Sequence, residues 1–119
     1  MQTSVTMVLG ASTNPERYSY MATVMLLEKG HAVYPYGIKK GMIQSLPIVQ
    51  DWPKTGSIAT LTLYLGPTAQ VEYYDQMIAL KPDRIIFNPG TENPRLVELA
   101  HAANISTIEA CTLVMLTTG

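Results

Sequence analysis

Charge is scarce in this sequence, and neither sign dominates. Lysine and arginine together number 8 and aspartate and glutamate 9, so the 119 residues carry a formal net charge of −1. A protein of this kind has no long-range basic field to attract nucleic acid or anionic lipid, although two or three clustered cations still suffice to bind one phosphate group. We therefore expect neither nucleic acid nor a membrane as a partner. A protein partner leaves no signature in the sequence.

Long apolar runs and cysteines are also missing. No apolar run reaches the length of about 18 residues that a membrane-spanning helix needs. The N-terminal segment lacks the basic stretch and apolar core of a signal peptide. The single cysteine, Cys111, has no partner for an internal disulfide and cannot supply a thiolate zinc site. These absences predict a cytoplasmic protein without a metal centre.

What the sequence does contain is an alternation of short apolar, β-branched segments with segments of helical periodicity. Such alternation, with right-handed crossovers, predicts an α/β, doubly wound (Rossmann-like) three-layer fold with a five-stranded parallel sheet. The length favours a single domain, residues 1–119, since domains usually span roughly 100–200 residues. The predicted strands are 4–9, 31–36, 58–66, 83–90 and 106–110; the predicted helices are 19–29, 68–81, 93–104 and one or two turns in 111–119.

The start and the buried face of the first helix follow from local signals. Asn14 and Pro15 are typical of a helix N-cap and first-turn proline. Met21, Val24 and Met25 are spaced for the face that packs on the sheet. Residues 39–56, with several prolines and glycines, are expected to be irregular.

In doubly wound sheets, ligands bind beyond the carboxyl ends of the strands. The sequence therefore places function in four strand-end turns, residues 10–14, 35–40, 65–70 and 88–93.

The first turn lies in the stretch VLGASTNPERY, and Gly10 permits a sharp exit from the strand. A dinucleotide fingerprint would place further glycines where this chain has Ser12 and Pro15. Small residues and free N–H groups at a helix start suit a phosphate, and Arg17 adds charge nearby. The alternative is an ordinary turn, with Ser12 or Asn14 acting only as a cap.

The second turn, VYPYGIKKG, argues against NAD. NAD-binding domains place an acidic residue there to accept from the ribose hydroxyls, and this turn has none. Lys39 and Lys40 suit a ligand with phosphate on or near its ribose instead. The alternative is a solvated pair of lysines on an irregular loop.

The third and fourth turns, YLGPTAQ and FNPGTEN, bring Gly-Pro and Pro-Gly to the same edge. Such turns line a slot for a flat ring or a pantetheine-like chain, or they are simply tight turns. Glu92 and Glu109 are carboxylates near this edge, and nothing pairs them with a nucleophile or a metal. Cys111 follows the fifth strand and suits a buried structural thiol better than a reactive one. We assign no catalytic residue.

Five segments together resemble one family: VLGASTNPERYS, HAVYP, LTLYLGP, IIFNPGTENP and EACTLVML. Over nearly its whole length the chain is similar to the single-domain CoA-binding proteins, a Rossmann-type family related to the CoA-binding domain of the succinyl-CoA synthetase α subunit. Many relatives read Val-Asn-Pro where this chain has Tyr36, Gly37 and Ile38, which leaves open whether Lys39 or Lys40 contacts the ligand.

The resemblance implies that coenzyme A binds across the carboxyl edge of the sheet. It implies a diphosphate site at the first turn, a ribose-phosphate or adenine contact at the second, a pantetheine or adenine contact at the third and a pantetheine wall at the fourth. It implies no ligase activity, because the chain lacks the synthetase's phosphohistidine domain. The implied cofactor-binding residues are Gly10, Ala11, Ser12, Asn14, Arg17, Pro35, Lys39, Lys40, Leu65, Gly66, Pro67, Asn88, Pro89, Gly90 and Thr91, with Glu92 beside them.

The predicted function is thus binding of CoA or acyl-CoA. Two alternatives remain: a small enzyme that acts on a CoA thioester through Glu92 or Cys111, and a regulatory or scaffold protein that responds to CoA.

Overall fold

The structure is a computed structural model that describes residues 4–118. Its strands and helices alternate as the sequence predicts, although most strands are shorter than expected. The strands are β1 Val5–Leu9, β2 Ala32–Tyr36, β3 Met42–Ile43, β4 Leu46–Pro47, β5 Thr60–Leu63, β6 Arg84–Phe87 and β7 Ser106–Glu109. The helices are α1 Tyr18–Glu28, α2 Pro67–Gln70, α3 Tyr74–Leu80, α4 Pro94–Ala102 and α5 Thr112–Thr118.

Five of the strands form one parallel sheet in the order β2-β1-β5-β6-β7. This order confirms the predicted doubly wound fold. β1 lies between β2 and β5. The connection from β1 to β2 runs towards one edge of the sheet, and the connections from β5 to β6 and from β6 to β7 run towards the other edge. The switch point therefore lies between β1 and β5.

Alternate residues of the strands face two layers of helices. On one face, Met7 of β1 belongs to a buried apolar cluster with Met77 of α3 and Leu96 of α4. On the other face, the hydroxyls of Thr62 in β5 and Thr112 in α5 form a hydrogen bond of 2.8 Å, and α1 packs beside α5. The sheet is thus covered on both sides, as expected for parallel strands.

The first helix differs from its prediction at its start and on its buried face. It begins at Tyr18 with Arg17 at the N-cap position, whereas Asn14 accepts from the Glu16 N–H at 3.0 Å in the turn ahead of the helix. The predicted cap is therefore wrong. The predicted stripe is wrong as well, because the buried face carries Ser19, Ala22, Thr23 and Leu26 while Met21 is exposed. Small side chains on this face allow α1 to approach its neighbours closely.

Two other segments also depart from expectation. Residues 39–56 contain an antiparallel hairpin of β3 and β4, and a bridge from Val49 to Tyr36 joins this segment to β2. The helix predicted over 68–81 is interrupted by a 3₁₀ turn at Val71–Tyr73, which separates α2 from α3. The interruption leaves Val71 exposed.

Candidate functional site

A groove of about 330 Å³ lies at the carboxyl ends of β1, β2 and β5, at the switch point of the sheet. Six residues predicted from the sequence line it: Gly10, Ala11, Ser12, Arg17, Lys39 and Leu65. The first and second turns are therefore brought together in one cavity, as a ligand spanning both would require.

The first turn is fixed to the end of β2. Gly10 has φ +104°, a left-handed conformation that favours glycine. The N–H groups of Gly10 and Ala11 both donate to the Tyr36 carbonyl, at 3.0 and 2.9 Å. The N–H groups of Ser12 and Thr13 have no hydrogen-bond partner among residues 4–118. These two N–H groups, together with Arg17 in the groove wall, are available to bind an anion.

The second turn packs tightly on the first. A Cβ atom at Gly37 would lie 2.6 Å from the Ala11 carbonyl oxygen and 3.0 Å from Ile48 Cγ2, so only glycine permits this approach. The turn places Lys39 in the groove wall and leaves Lys40 outside it. The structure thereby distinguishes two lysines that the sequence treats alike.

An aromatic cluster closes one side of the groove. Tyr36 and Tyr73 line the cavity, and Trp52 lies behind them, stacked on Tyr73. Burial, followed by the neighbouring Tyr36 and Glu72, raises the pKa of Tyr73. Sequence reasoning missed this cluster because its members come from β2, a loop and a 3₁₀ turn that no local pattern connects.

The fourth turn is held by a buried amide. Asn88, which is 2% exposed, donates from Nδ2 to Thr62 Oγ1 at 2.6 Å and to the Leu63 carbonyl at 2.8 Å. Its Oδ1 accepts from the Thr112 N–H at 2.9 Å. The amide of Asn88 therefore anchors the turn to β5 and α5.

A second buried amide joins the third turn to the fourth. Gln70, fully buried, donates from Nε2 to the carbonyls of Leu65 and Thr91, each at 2.8 Å. Its Oε1 accepts from Asn93 Nδ2 at 2.9 Å, and Asn93 also bonds to the Tyr74 hydroxyl and caps α4 through Leu96 N. Sequence reasoning missed Gln70, because an isolated glutamine in a helical segment gives no sign that it is buried.

A smaller cavity, of about 210 Å³, lies beside the groove at the same edge of the sheet. We call it the side cavity; it is lined by Tyr18, Tyr64, Asn88, Pro89, Cys111 and Leu113. Tyr64 lines both cavities, so the two cavities adjoin at this residue. Glu92 lies outside both cavities, and its carboxylate accepts from the Gly90 N–H at 2.8 Å.

The Tyr64 hydroxyl is buried and has no hydrogen-bond partner among the described residues. Burial raises its pKa, and the hydroxyls of Thr112 and Thr62 nearby offset part of that effect. Those two hydroxyls bond to each other instead.

Several predicted residues lie outside the groove. Pro35 is buried in β2, and Thr91 is buried in the fourth turn, where its hydroxyl donates to the Asn88 carbonyl. Asn88 and Pro89 line the side cavity instead. The others that line neither cavity are Asn14, Lys40, Gly66, Pro67 and Gly90.

A third cavity, of about 410 Å³, lies between α1 and α5 near the amino ends of the strands, with Lys29, His31 and Arg84 in its wall. It is larger than the groove, but strand-end turns and helix N-termini converge at the opposite edge, where doubly wound folds bind ligands. Among residues 4–118 no helix is long and apolar enough to cross a membrane. The same residues contain no group of three histidine, cysteine or acidic side chains placed to hold a metal ion.

A parallel sheet in the order β2-β1-β5-β6-β7, with a groove at its switch point, defines a Rossmann-like α/β protein. The chain belongs to the CoA binding domain family, whose sequence profile matches residues 4–117. Among the curated proteins, no sequence matches this chain.

Several solved structures share this fold. The crystal structure of an uncharacterised protein is similar over 100% of this chain and 98% of its own, with 39% sequence identity and a TM-score of 0.93. A protein from Thermus thermophilus is 21% identical over 98% of this chain and 89% of its own, with a TM-score of 0.83. A hypothetical protein from Pyrococcus horikoshii is 24% identical over 94% of this chain and 80% of its own, with a TM-score of 0.82. The last two show the fold alone.

Proposed function

We propose that residues 1–119 form one domain that binds CoA or acyl-CoA in the groove at the carboxyl edge of the sheet. The observation that best supports this proposal is the set of residues that line the groove. Arg17 and Lys39 lie in its wall beside the N–H groups of Ser12 and Thr13, and none of the described residues that line it is acidic. A groove of this kind suits a ligand with several phosphate groups. It lacks the carboxylate that binds the ribose hydroxyls in NAD-binding domains, which argues against NAD as the ligand.

The parts of CoA have matching surfaces in this proposal. The diphosphate lies at Ser12 and Thr13 with Arg17, where backbone N–H groups form an anion-binding concavity. The ribose phosphate lies near Lys39. The adenine contacts the aromatic side formed by Tyr36 and Tyr73, because stacking on flat side chains suits a flat base. The pantetheine chain then passes Leu65 and Tyr64 towards Pro89.

The proposal includes no ligase chemistry and a cytoplasmic location, for which the single cysteine is the support. A turnover assay with an acyl-CoA tests the absence of catalysis, using Cys111→Ser and Glu92→Gln. The opposing result is that the wild-type chain cleaves the thioester and that either substitution abolishes cleavage but not CoA binding. That result would show that the protein is an enzyme and not only a binding module.

Thermal denaturation with CoA, dephospho-CoA and NAD, each added separately, tests binding. A ligand at about one hundred times its Kd adds about 2.7 kcal/mol to the free energy of unfolding. For 119 residues this corresponds to a rise in Tm of roughly 10 °C. We expect the full shift with CoA, a smaller one with dephospho-CoA and none with NAD. The absence of a shift with millimolar CoA would overturn the proposal.

A further inference from the structure

The side cavity has the properties of a pocket for an uncharged apolar group. Besides Asn88 it is lined by Tyr18, Tyr64, Pro89, Cys111 and Leu113, and none of these residues is an acid, a lysine, an arginine or a histidine. The one amide in the wall, Asn88, already uses both Nδ2 hydrogens and Oδ1 within the protein. An occupant therefore finds apolar contacts there and no partner for a charge.

The position of this cavity limits what occupies it. It adjoins the groove at Tyr64, and the path proposed above for the pantetheine chain leads towards it. The terminal group of the ligand is therefore the part that reaches it. Free CoA ends in a thiol, which leaves an apolar cavity of this size largely unfilled.

We propose that the side cavity is an acyl pocket and that the preferred ligand is a short-chain, uncharged acyl-CoA. This inference rests on the proposed function. An apolar cavity of about 150 Å³ accommodates a six-carbon ring, so about 210 Å³ suits an acyl group of about four to six carbons.

Calorimetric titration of the wild-type chain with CoA, butyryl-CoA and succinyl-CoA tests the proposal. Each buried methylene raises affinity about fourfold, so we expect butyryl-CoA to bind at least about tenfold more tightly than CoA. Succinyl-CoA has the same number of acyl carbons but a terminal carboxylate, which the cavity does not pair. It should bind no more tightly than CoA. A series from acetyl- to decanoyl-CoA should give the highest affinity near six carbons.

Leu113→Phe fills the cavity and should reduce the preference for butyryl-CoA over CoA to about one. Val114→Phe, at an exposed position on the same helix, is the matched control and should keep the wild-type preference. Equal affinities of CoA and butyryl-CoA for the wild-type chain would overturn the acyl pocket while leaving the proposed function intact. If no CoA compound binds, the proposed function fails and the acyl pocket with it.

Discussion

Trp52 stacks on Tyr73, with ring centroids 5.8 Å apart and an interplanar angle of 13°. Tyr36 meets both rings edge-on, at 5.2 Å from Trp52 and 6.1 Å from Tyr73. Tyr73 and Tyr36 line the groove, whereas Trp52 lies one ring further back. The only tryptophan of the chain is therefore coupled to the groove through one stacked ring.

This arrangement makes Trp52 a reporter of binding. Contact of the ligand with Tyr73 shifts the environment of the stacked indole, so we expect tryptophan emission to change saturably as CoA is added. The midpoint should equal the Kd from calorimetry. Trp52→Phe should remove the signal and retain the rise in Tm with CoA. A rise in Tm with no change in emission would place CoA away from the aromatic side of the groove.

Lys39 and Lys40 form a matched pair, since only Lys39 lines the groove and both side chains are exposed. We expect Lys39→Ala to weaken CoA binding about fivefold, the upper end for an exposed charge pair, and Lys40→Ala to have little effect. Binding of dephospho-CoA should be insensitive to both changes if Lys39 contacts the ribose phosphate. Calorimetric titration at low salt measures all four combinations. Equal losses from the two substitutions would mean that the lysines contribute only to a diffuse field.

Packing requires a glycine at position 37 but not at position 66, so these two residues can be compared by substitution with alanine. Alanine at position 37 would overlap the Ala11 carbonyl and force the first and second turns apart. We expect Gly37→Ala to cost about 1–3 kcal/mol in unfolding free energy and to weaken CoA binding, because the groove is built from these turns. Nothing lies within 4 Å of a Cβ at Gly66, so Gly66→Ala should change the unfolding free energy by less than about 0.5 kcal/mol. Urea denaturation measures both.

Local sequence patterns predicted the fold and the edge that carries the groove. Strand-to-helix alternation is a property of consecutive residues, and the location of the turns at one edge follows from parallel strands alone. The same logic failed at Asn14, because its side chain satisfies the Glu16 N–H in a turn of its own instead of capping α1. Local cap signals do not determine how many residues the chain uses between strand and helix.

Features that depend on distant residues could not be predicted. The difference between Lys39 and Lys40 arises from the packing of Gly37 on Ala11, across 26 positions of chain (37 − 11). The aromatic side requires Tyr36, at the end of β2, to meet Tyr73, which follows β5 and α2 in the chain. Neither relation leaves a periodicity or a motif in the sequence.

Gln70 provides a test of the link between the third and fourth turns. Gln70→Leu would leave the carbonyls of Leu65 and Thr91 and one Asn93 N–H without their partner. Each buried polar group that is left unsatisfied costs about 1–3 kcal/mol, so we expect the three groups together to lower the unfolding free energy by at least about 3 kcal/mol. The exposed Gln76 on α3 is the control, and Gln76→Leu should change stability by less than about 0.5 kcal/mol. A small loss at Gln70 in urea denaturation would show that the turns are held by other contacts.

Tyr64 predicts how stability responds to alkaline pH. Burial raises its pKa in the folded state above the ordinary value of 10.0, which it regains on unfolding. Above pH 10 the unfolded chain therefore binds fewer protons at this residue than the folded chain, and the free energy of unfolding falls as pH rises until the folded phenol also ionises. Below pH 10 the contribution is constant. Tyr64→Phe removes a buried hydroxyl that has no described partner, so stability at pH 7 should stay the same or rise while the alkaline decline becomes shallower. Part of the decline in unfolding free energy should remain in Tyr64→Phe, because the pKa values of Tyr34 and Tyr73 are also raised. Urea denaturation at intervals from pH 7 to pH 11 measures the slope, and an unchanged slope in Tyr64→Phe would contradict this account of the buried hydroxyl.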